Sequence, residues 1–208
     1  MTPIAHFLAV WERCDHLATI HSYLSSQLTA ALNLDELLRA EWVSRVSAMD
    51  LYVHELVSQK MNEIFEGLRP PCAGFMRFSI PSDAMMRIRS AATLADECAA
   101  FDLEVRSRLG FSTFQNPEKI AEGIRLISDI GLWNEIASFQ GATPATQANW
   151  AKAVKLELSL IVERRNKIAH EGDLQPGAPR IPWAIHRADL QHVSTVIKGI
   201  VDALQGII

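Results

Sequence analysis

The chain has 208 residues, 49 % of them hydrophobic, and a formal net charge of −4 at pH 7. That much apolar matter supports one domain with a sizeable core. The acidic balance excludes a protein that coats nucleic acid through its overall field, so any contact with RNA or DNA must come from a local basic patch. The three cysteines, Cys14, Cys72 and Cys98, are far apart and odd in number, which argues against a disulfide framework and against a CxxC-type zinc site. A reducing, cytoplasmic setting is the simplest expectation. No apolar run reaches the roughly 18 residues of a membrane span. Met1 to Cys14 lacks a basic leader segment and Glu12 interrupts its apolar run, so no signal peptide is expected.

In chain order, apolar residues at helical spacing (Phe7, Val10, Trp11, Leu17, Ile20, Leu24, Leu28) predict a first helix from Pro3 to about Leu32. Asn33 followed by Glu36 reads as an N-cap with its reciprocal partner, opening a second helix that runs to Leu68. Arg69 to Gly74, with two prolines, breaks it, and Phe75 to Ile80 reads as loop. Ser82 caps a third helix expected to reach about Arg108, with Gly110 ending it. Asn116-Pro117 combines an N-cap with proline at the first helical position. The helix it opens carries Ile120, Ile124, Ile127 and Ile130. Gly131 interrupts that pattern, and Leu132 to Phe139 adds one or two further turns.

A fifth helix begins near Trp150 and stops at Gly172. After a loop rich in proline and glycine, a last helix spans roughly Arg187 to Leu204. No segment gives a convincing strand pair. The expected fold is all-α, a bundle of about five to six helices with antiparallel neighbours.

The segment Glu163 to Asp173 closes the fifth helix and concentrates the chemistry. With Val154 at zero on a helical wheel, Leu158, Ile161 and Ile168 fall within about 40°, and Arg165 sits among them at about 20°. An arginine keeps its proton, so burial without a partner costs several kcal/mol. Arg165 is therefore expected either to pair with an acid on a neighbouring helix, such as Asp50 or Glu55, or to face a cleft that receives an anion. His170 lies in the last turn, and histidine titrates near neutrality. A fixed cation beside a proton carrier suits attack on a phosphodiester.

Arg165-Asn166-Lys167-Ile168-Ala169-His170 resembles the HEPN signature of an arginine, a polar neighbour, a short spacer and a histidine. Together with "LIVERRNKIAHEGDL", "MDLYVHELV" and "FQNPEKIAEGIRLISDIGLWNEI", it makes roughly residues 40 to 205 similar to the RiboL-PSP type of HEPN domain. The resemblance implies a single HEPN-like up-and-down helical core over 1–208, with 1–33 a possible accessory N-terminal helix. It further implies a homodimer that places two Arg–His pairs in one cleft, and a metal-independent endoribonuclease. The setting it implies is bacterial antiviral defence, abortive infection or a toxin–antitoxin pair. An antitoxin or partner defence protein is then a candidate partner, alongside the RNA substrate. HEPN toxins neutralised by a nucleotidyltransferase carry a tyrosine two residues after the histidine; Gly172 stands there.

RNA cleavage without a metal needs a base, an acid and a cation for the developing phosphorane-like charge. His170 and Arg165 supply these, with Asn166, four residues before His170 on its face, placed to orient the imidazole. No cofactor is required. On an ideal helix Arg165 and His170 lie about 140° apart, so they converge only if the last turn distorts or the arginine reaches around. Asp50 and His54, four apart on the second helix, are candidates for a supporting layer or for a plain local hydrogen bond. Arg164 and Lys167 are candidates for RNA binding, with simple solvation as the alternative. His6, His16 and His21 lack metal-ligand partners at clear spacing. The competing reading is a non-catalytic helical dimer that binds RNA or a partner protein and keeps the motif as an interface element.

Overall fold

A computed structural model of the chain describes residues 1–28 and 32–208, and among these it is all helical, with nine helices. They are α1 (Pro3–Gln27), α2 (Asp35–Phe65), α3 (Ala73–Met76), α4 (Ser82–Arg89), α5 (Leu94–Leu109), α6 (Pro117–Ile124), α7 (Leu132–Phe139), α8 (Gln147–Glu171) and α9 (Arg187–Ile207). No helix among the described residues is long and apolar enough to cross a membrane.

The expected extension of α1 toward Leu32 crosses residues 29–31, which lie outside the described residues; the helix closes at Gln27 with Leu28 as its cap. Asn33 Oδ1 accepts from the Asp35 amide at 3.0 Å, but Leu34 occupies the cap position of α2.

The helix count exceeds five to six because two expected helices are shorter and short ones fill between them. The run from Ser82 to Arg108 breaks at Ser90–Thr93. Thr93 is a strong N-cap in its own right: its Oγ1 accepts from the Asp96 amide at 3.2 Å and donates to Asp96 Oδ2 at 2.7 Å. A new helix start therefore wins over continuation. The isoleucine-bearing helix stops at Ile124, yet Ile127 remains buried, because a tight turn carries the same apolar stripe onward. A single helical turn, α3, occupies part of the stretch read as loop. It lies so close to that turn that a Cβ on Gly74 would come 1.8 Å from the Arg125 carbonyl oxygen.

The long helices form the frame. Phe7 of α1 packs edge-on against Tyr52, with ring centroids 5.9 Å apart, while Asp15 meets Arg45 at 2.9 Å. Rising numbers on α1 thus meet falling numbers on α2, an antiparallel pair. Trp42 Nε1 of α2 donates to the Ile161 carbonyl of α8 at 3.0 Å, and Arg39 reaches Asp173 just past α8, so α8 is antiparallel to α2 as well. Arg187 on Glu41 and Gln205 near Tyr52 show α9 running parallel to α2. One core joins these faces. Val46, Met49, Tyr52 and Val53 of α2 meet Leu158 and Ile161 of α8 and Val193, Ile197, Val201 and Leu204 of α9, all buried. Each large apolar side chain so buried contributes about 1.5–3 kcal/mol. The arrangement brings the start of α2, the end of α8 and the start of α9 to one end of the bundle.

Candidate functional site at the end of the eighth helix

α8 lays Leu158, Ile161 and Val162 into the core, with Val154 and Ile168 half-buried beside them. It stays helical to Glu171. Gly172 then takes the left-handed conformation at φ 66°, and the amides of Gly172 and Asp173 both donate back to the Lys167 carbonyl. A residue without a Cβ reaches this conformation at no steric cost, which is why the helix ends here. Asp173 follows at φ 56° and turns the chain inward.

Arg165 sits on the core-facing stripe, half-buried, as the periodicity expects. Its Nη1 donates to Asn166 Oδ1 at 3.0 Å, and its Nε is shielded from solvent with no acceptor. No carboxylate among the described residues forms an ion pair with it. The two acids named for that role are engaged elsewhere. Asp50 accepts from the Phe114 amide at 2.6 Å and from Gln115 Nε2 at 2.9 Å. Glu55 accepts from both terminal nitrogens of Arg106, at 2.7 and 3.0 Å. The Arg106 hydrogen bond holds the Glu55 carboxyl below its ordinary value, against the partial burial that raises it.

His170 is exposed in the last turn. It lines an open groove of about 840 Å³ between the end of α8 and the loop that follows, together with Lys167, Glu171, Gln175, Arg180 and Trp183. Arg165 is not among the groove's lining residues. The helix runs unbroken through Glu171, so at regular helical spacing the two side chains leave it about 140° apart. Asn166 lies between them, about 100° around from Arg165 and 40° short of His170. By donating to Asn166, the Arg165 guanidinium swings off the apolar stripe toward the His170 side. Asn166 makes no hydrogen bond to His170; its acceptor oxygen serves Arg165.

The remaining expected site residues fall into two places. His54 Nε2 is 3.6 Å from Asp50 Oδ1 and 3.2 Å from the Ser112 carbonyl, and its ring packs on Phe114 with centroids 4.5 Å apart. Asp50 and His54 thus fasten the connector between α5 and α6 to α2, and neither bonds to Arg165 or His170. Lys167 is half-buried on the groove and donates to Glu163 at 2.8 Å, which raises its pKa above the ordinary lysine value.

Arg164 is neither simply solvated nor free. Its Nη2 donates to Asp173 Oδ2 at 3.0 Å and to the Ala184 carbonyl at 2.8 Å, and its guanidinium lies over the Trp42 ring, 5.4 Å from the centroid.

Sequence reasoning missed the hub of this end. Asp173 is fully buried and accepts on one oxygen from Arg164 and, at 3.1 Å, from Arg39 Nε. Arg39, itself buried, also donates from Nη2 to the Trp183 carbonyl at 2.7 Å. The Trp183 amide returns to the Asp173 carbonyl at 2.8 Å. Two arginines on one carboxylate offset the cost of removing Asp173 and Arg39 from water, and they fix the loop against the helix end. The only trace of this in the sequence is an acid placed directly after a helix-stopping glycine.

No protein-family model, curated protein or solved structure matches this chain. Fold and site together define an all-α bundle protein. A buried ion pair between Arg39 and Asp173 braces a helix end that presents a histidine and, one face away, an arginine without a carboxylate partner.

Proposed function

We propose that the chain is a HEPN-type, metal-independent endoribonuclease that works as a two-fold dimer in bacterial antiviral defence, abortive infection or a toxin–antitoxin pair. The observation that carries this reading is the state of Arg165. Arg39, Arg45, Arg106 and Arg164 each meet carboxylates, whereas Arg165, half-buried on the same kind of surface, meets only Asn166. A guanidinium left in that condition retains donors for an anion that arrives from outside, and a phosphodiester is such an anion.

His170 is exposed on the open groove of about 840 Å³ and moves the proton. Arg165 stabilises the charge that develops on the phosphate, and Asn166 holds Arg165 toward the histidine side. One histidine per site serves poorly as both base and acid in a single step, and two-fold pairing brings a second. The 140° between Arg165 and His170 on one chain supports the same conclusion, because a facing copy supplies the complementary group across the groove.

Purified protein incubated with total RNA in EDTA, beside His170→Ala and Arg165→Ala, tests the activity. Cleavage by wild type and its loss in both variants is the expected result; intact RNA from all three sinks the proposal. Mixing wild-type chains with an excess of the Arg165→Ala/His170→Ala chain tests the shared site. Activity that falls only in proportion to wild-type chains, despite subunit exchange, means that each chain carries a complete site.

The second reading, a non-catalytic dimer that binds RNA or a partner protein, draws on the exposure of Leu156 and Leu160 along the outer face of α8. It expects His170→Ala to be silent and Arg165→Ala to weaken the dimer.

A further inference from the structure

We infer that Trp183 is a stacking platform for one unpaired base of single-stranded RNA beside His170, with Arg180 and Lys167 gripping the adjoining phosphates. The ligand class rests on the endoribonuclease reading; the assignment of Trp183 rests on its setting.

Trp183 is 44 % exposed, and it lines the same groove as His170. A large aromatic open to water on a loop is usually a mobile one. This one is not free to wander. Its amide donates to the Asp173 carbonyl at 2.8 Å, its carbonyl accepts from the buried Arg39 at 2.7 Å, and the next carbonyl, of Ala184, accepts from Arg164 at 2.8 Å. Below it, the Gln175 amide donates to the Ile181 carbonyl at 2.9 Å, and Leu174 pairs with Pro182 as an antiparallel bridge.

The backbone of an exposed indole is thus clamped by two guanidiniums that are themselves locked on a buried carboxylate. A surface held this way loses little freedom when a ligand covers it.

The charges around the indole select the ligand. Arg180 is exposed, with no ion pair among the described residues, and Lys167 is half-buried on the α8 side with its ammonium on Glu163. Glu171 is the one acid on the groove lining. Cations beside an aromatic face form the pattern that binds single strands, in which bases stack while phosphates meet arginine and lysine. A base stacked on Trp183 lets the adjoining backbone run past His170, so Trp183 acts as a positioning residue for the scissile phosphate.

The test uses the full chain carrying His170→Ala, so that RNA stays intact, and measures anisotropy of a short fluorescein-labelled oligoadenylate and of its abasic counterpart. Trp183→Leu should weaken the oligoadenylate about tenfold or more, the scale of one lost stack, and leave the abasic strand unchanged. Trp183→Phe should bind both nearly as the parent does. Arg180→Gln should weaken both strands alike and flatten the salt dependence.

Equal losses on both strands, or none, overturn the proposal. So does conversion of a dimer to a monomer by Trp183→Leu, seen by light scattering, because that assigns the indole to an interface between copies. RNA cleaved by the wild type with a KM indifferent to Trp183→Leu removes the platform and leaves the nuclease. An oligoadenylate held through Trp183 but never cleaved by the wild type does the reverse, and no binding by any variant removes both.

Discussion

Asp173 and Arg39, 134 residues apart in the chain, meet at 3.1 Å with both side chains out of water. Asp173→Asn keeps the shape but leaves two guanidiniums facing an uncharged amide. Breaking a buried pair in this way costs about 3–5 kcal/mol. In a chain of this size that is a fall in Tm of roughly 6–20 °C. A thermal melt followed by circular dichroism checks it; a Tm within a degree or two of wild type would show that the network contributes nothing.

Adjacent arginines should behave oppositely. Arg164→Ala removes a ligand of Asp173 and a contact over Trp42, so it should lower the denaturation midpoint by several kcal/mol equivalent. Arg165→Ala removes a guanidinium with an unsatisfied Nε and no carboxylate partner, so stability should change by less than about 1 kcal/mol. RNA cleavage should be abolished by the second change. Urea titrations of both variants, read beside the cleavage assay, separate the two roles.

Gly74 has no room for a side chain. The Arg125 carbonyl oxygen would lie 1.8 Å from its Cβ, and both partners are backbone. Gly74→Ala should destabilise by about 1–3 kcal/mol or more, because α3 must back away from the turn after α6. Gly172→Ala forces a left-handed alanine, costing about 1–2 kcal/mol, with room for the methyl itself. Equal midpoints for Gly74→Ala and wild type would mean that α3 does not pack against the turn after α6.

High pH should weaken the fold through two buried groups. Burial pushes the Cys14 thiol up to about 11, against the nearby Arg45, and burial likewise raises the Tyr52 hydroxyl. Both values rise on folding, so the native state holds these protons more tightly than the unfolded one. The Cys14 contribution is complete below the unfolded thiol's value of about 9 and is lost as pH climbs through about 11, whereas that of Tyr52 is complete below its ordinary value of about 10 and is lost at higher pH still. Chemical denaturation at several values across that window should show stability falling with pH, with a shallower slope in Cys14→Ala. An identical slope in the variant would exclude the thiol as a contributor.

Much of the architecture was legible from local signals. Asn116-Pro117 starts α6, Leu132 to Phe139 coincides with α7, and Gly172 stops α8. The break at Ser90–Thr93 was missed although Thr93 and Asp96 announce it, because helical spacing on both sides outweighed a three-residue cap signal. Wheel geometry placed Arg165 on the inner stripe and His170 on another face, and both positions hold in the structure. The arginine's leaning on Asn166 and the engagement of Asp50 and Glu55 by other donors were not legible, since each depends on which distant groups arrive first at a given oxygen. Arg39 and Trp183 left no local signature, and Asp173 only its place after Gly172, for the same reason: their bonds join segments that are remote in sequence.

The clamp at Asp173 also imposes an order in time. Arg39 is at the start of α2 and Asp173 past the end of α8, so closing the loop between them repays its entropy only after the intervening helices have packed. The groove beside His170 should therefore assemble late, on a bundle that already exists. Weakening the clamp should speed unfolding and leave the folding rate almost untouched. A newly made chain should then pass through most of its folding with this histidine attached to no groove at all.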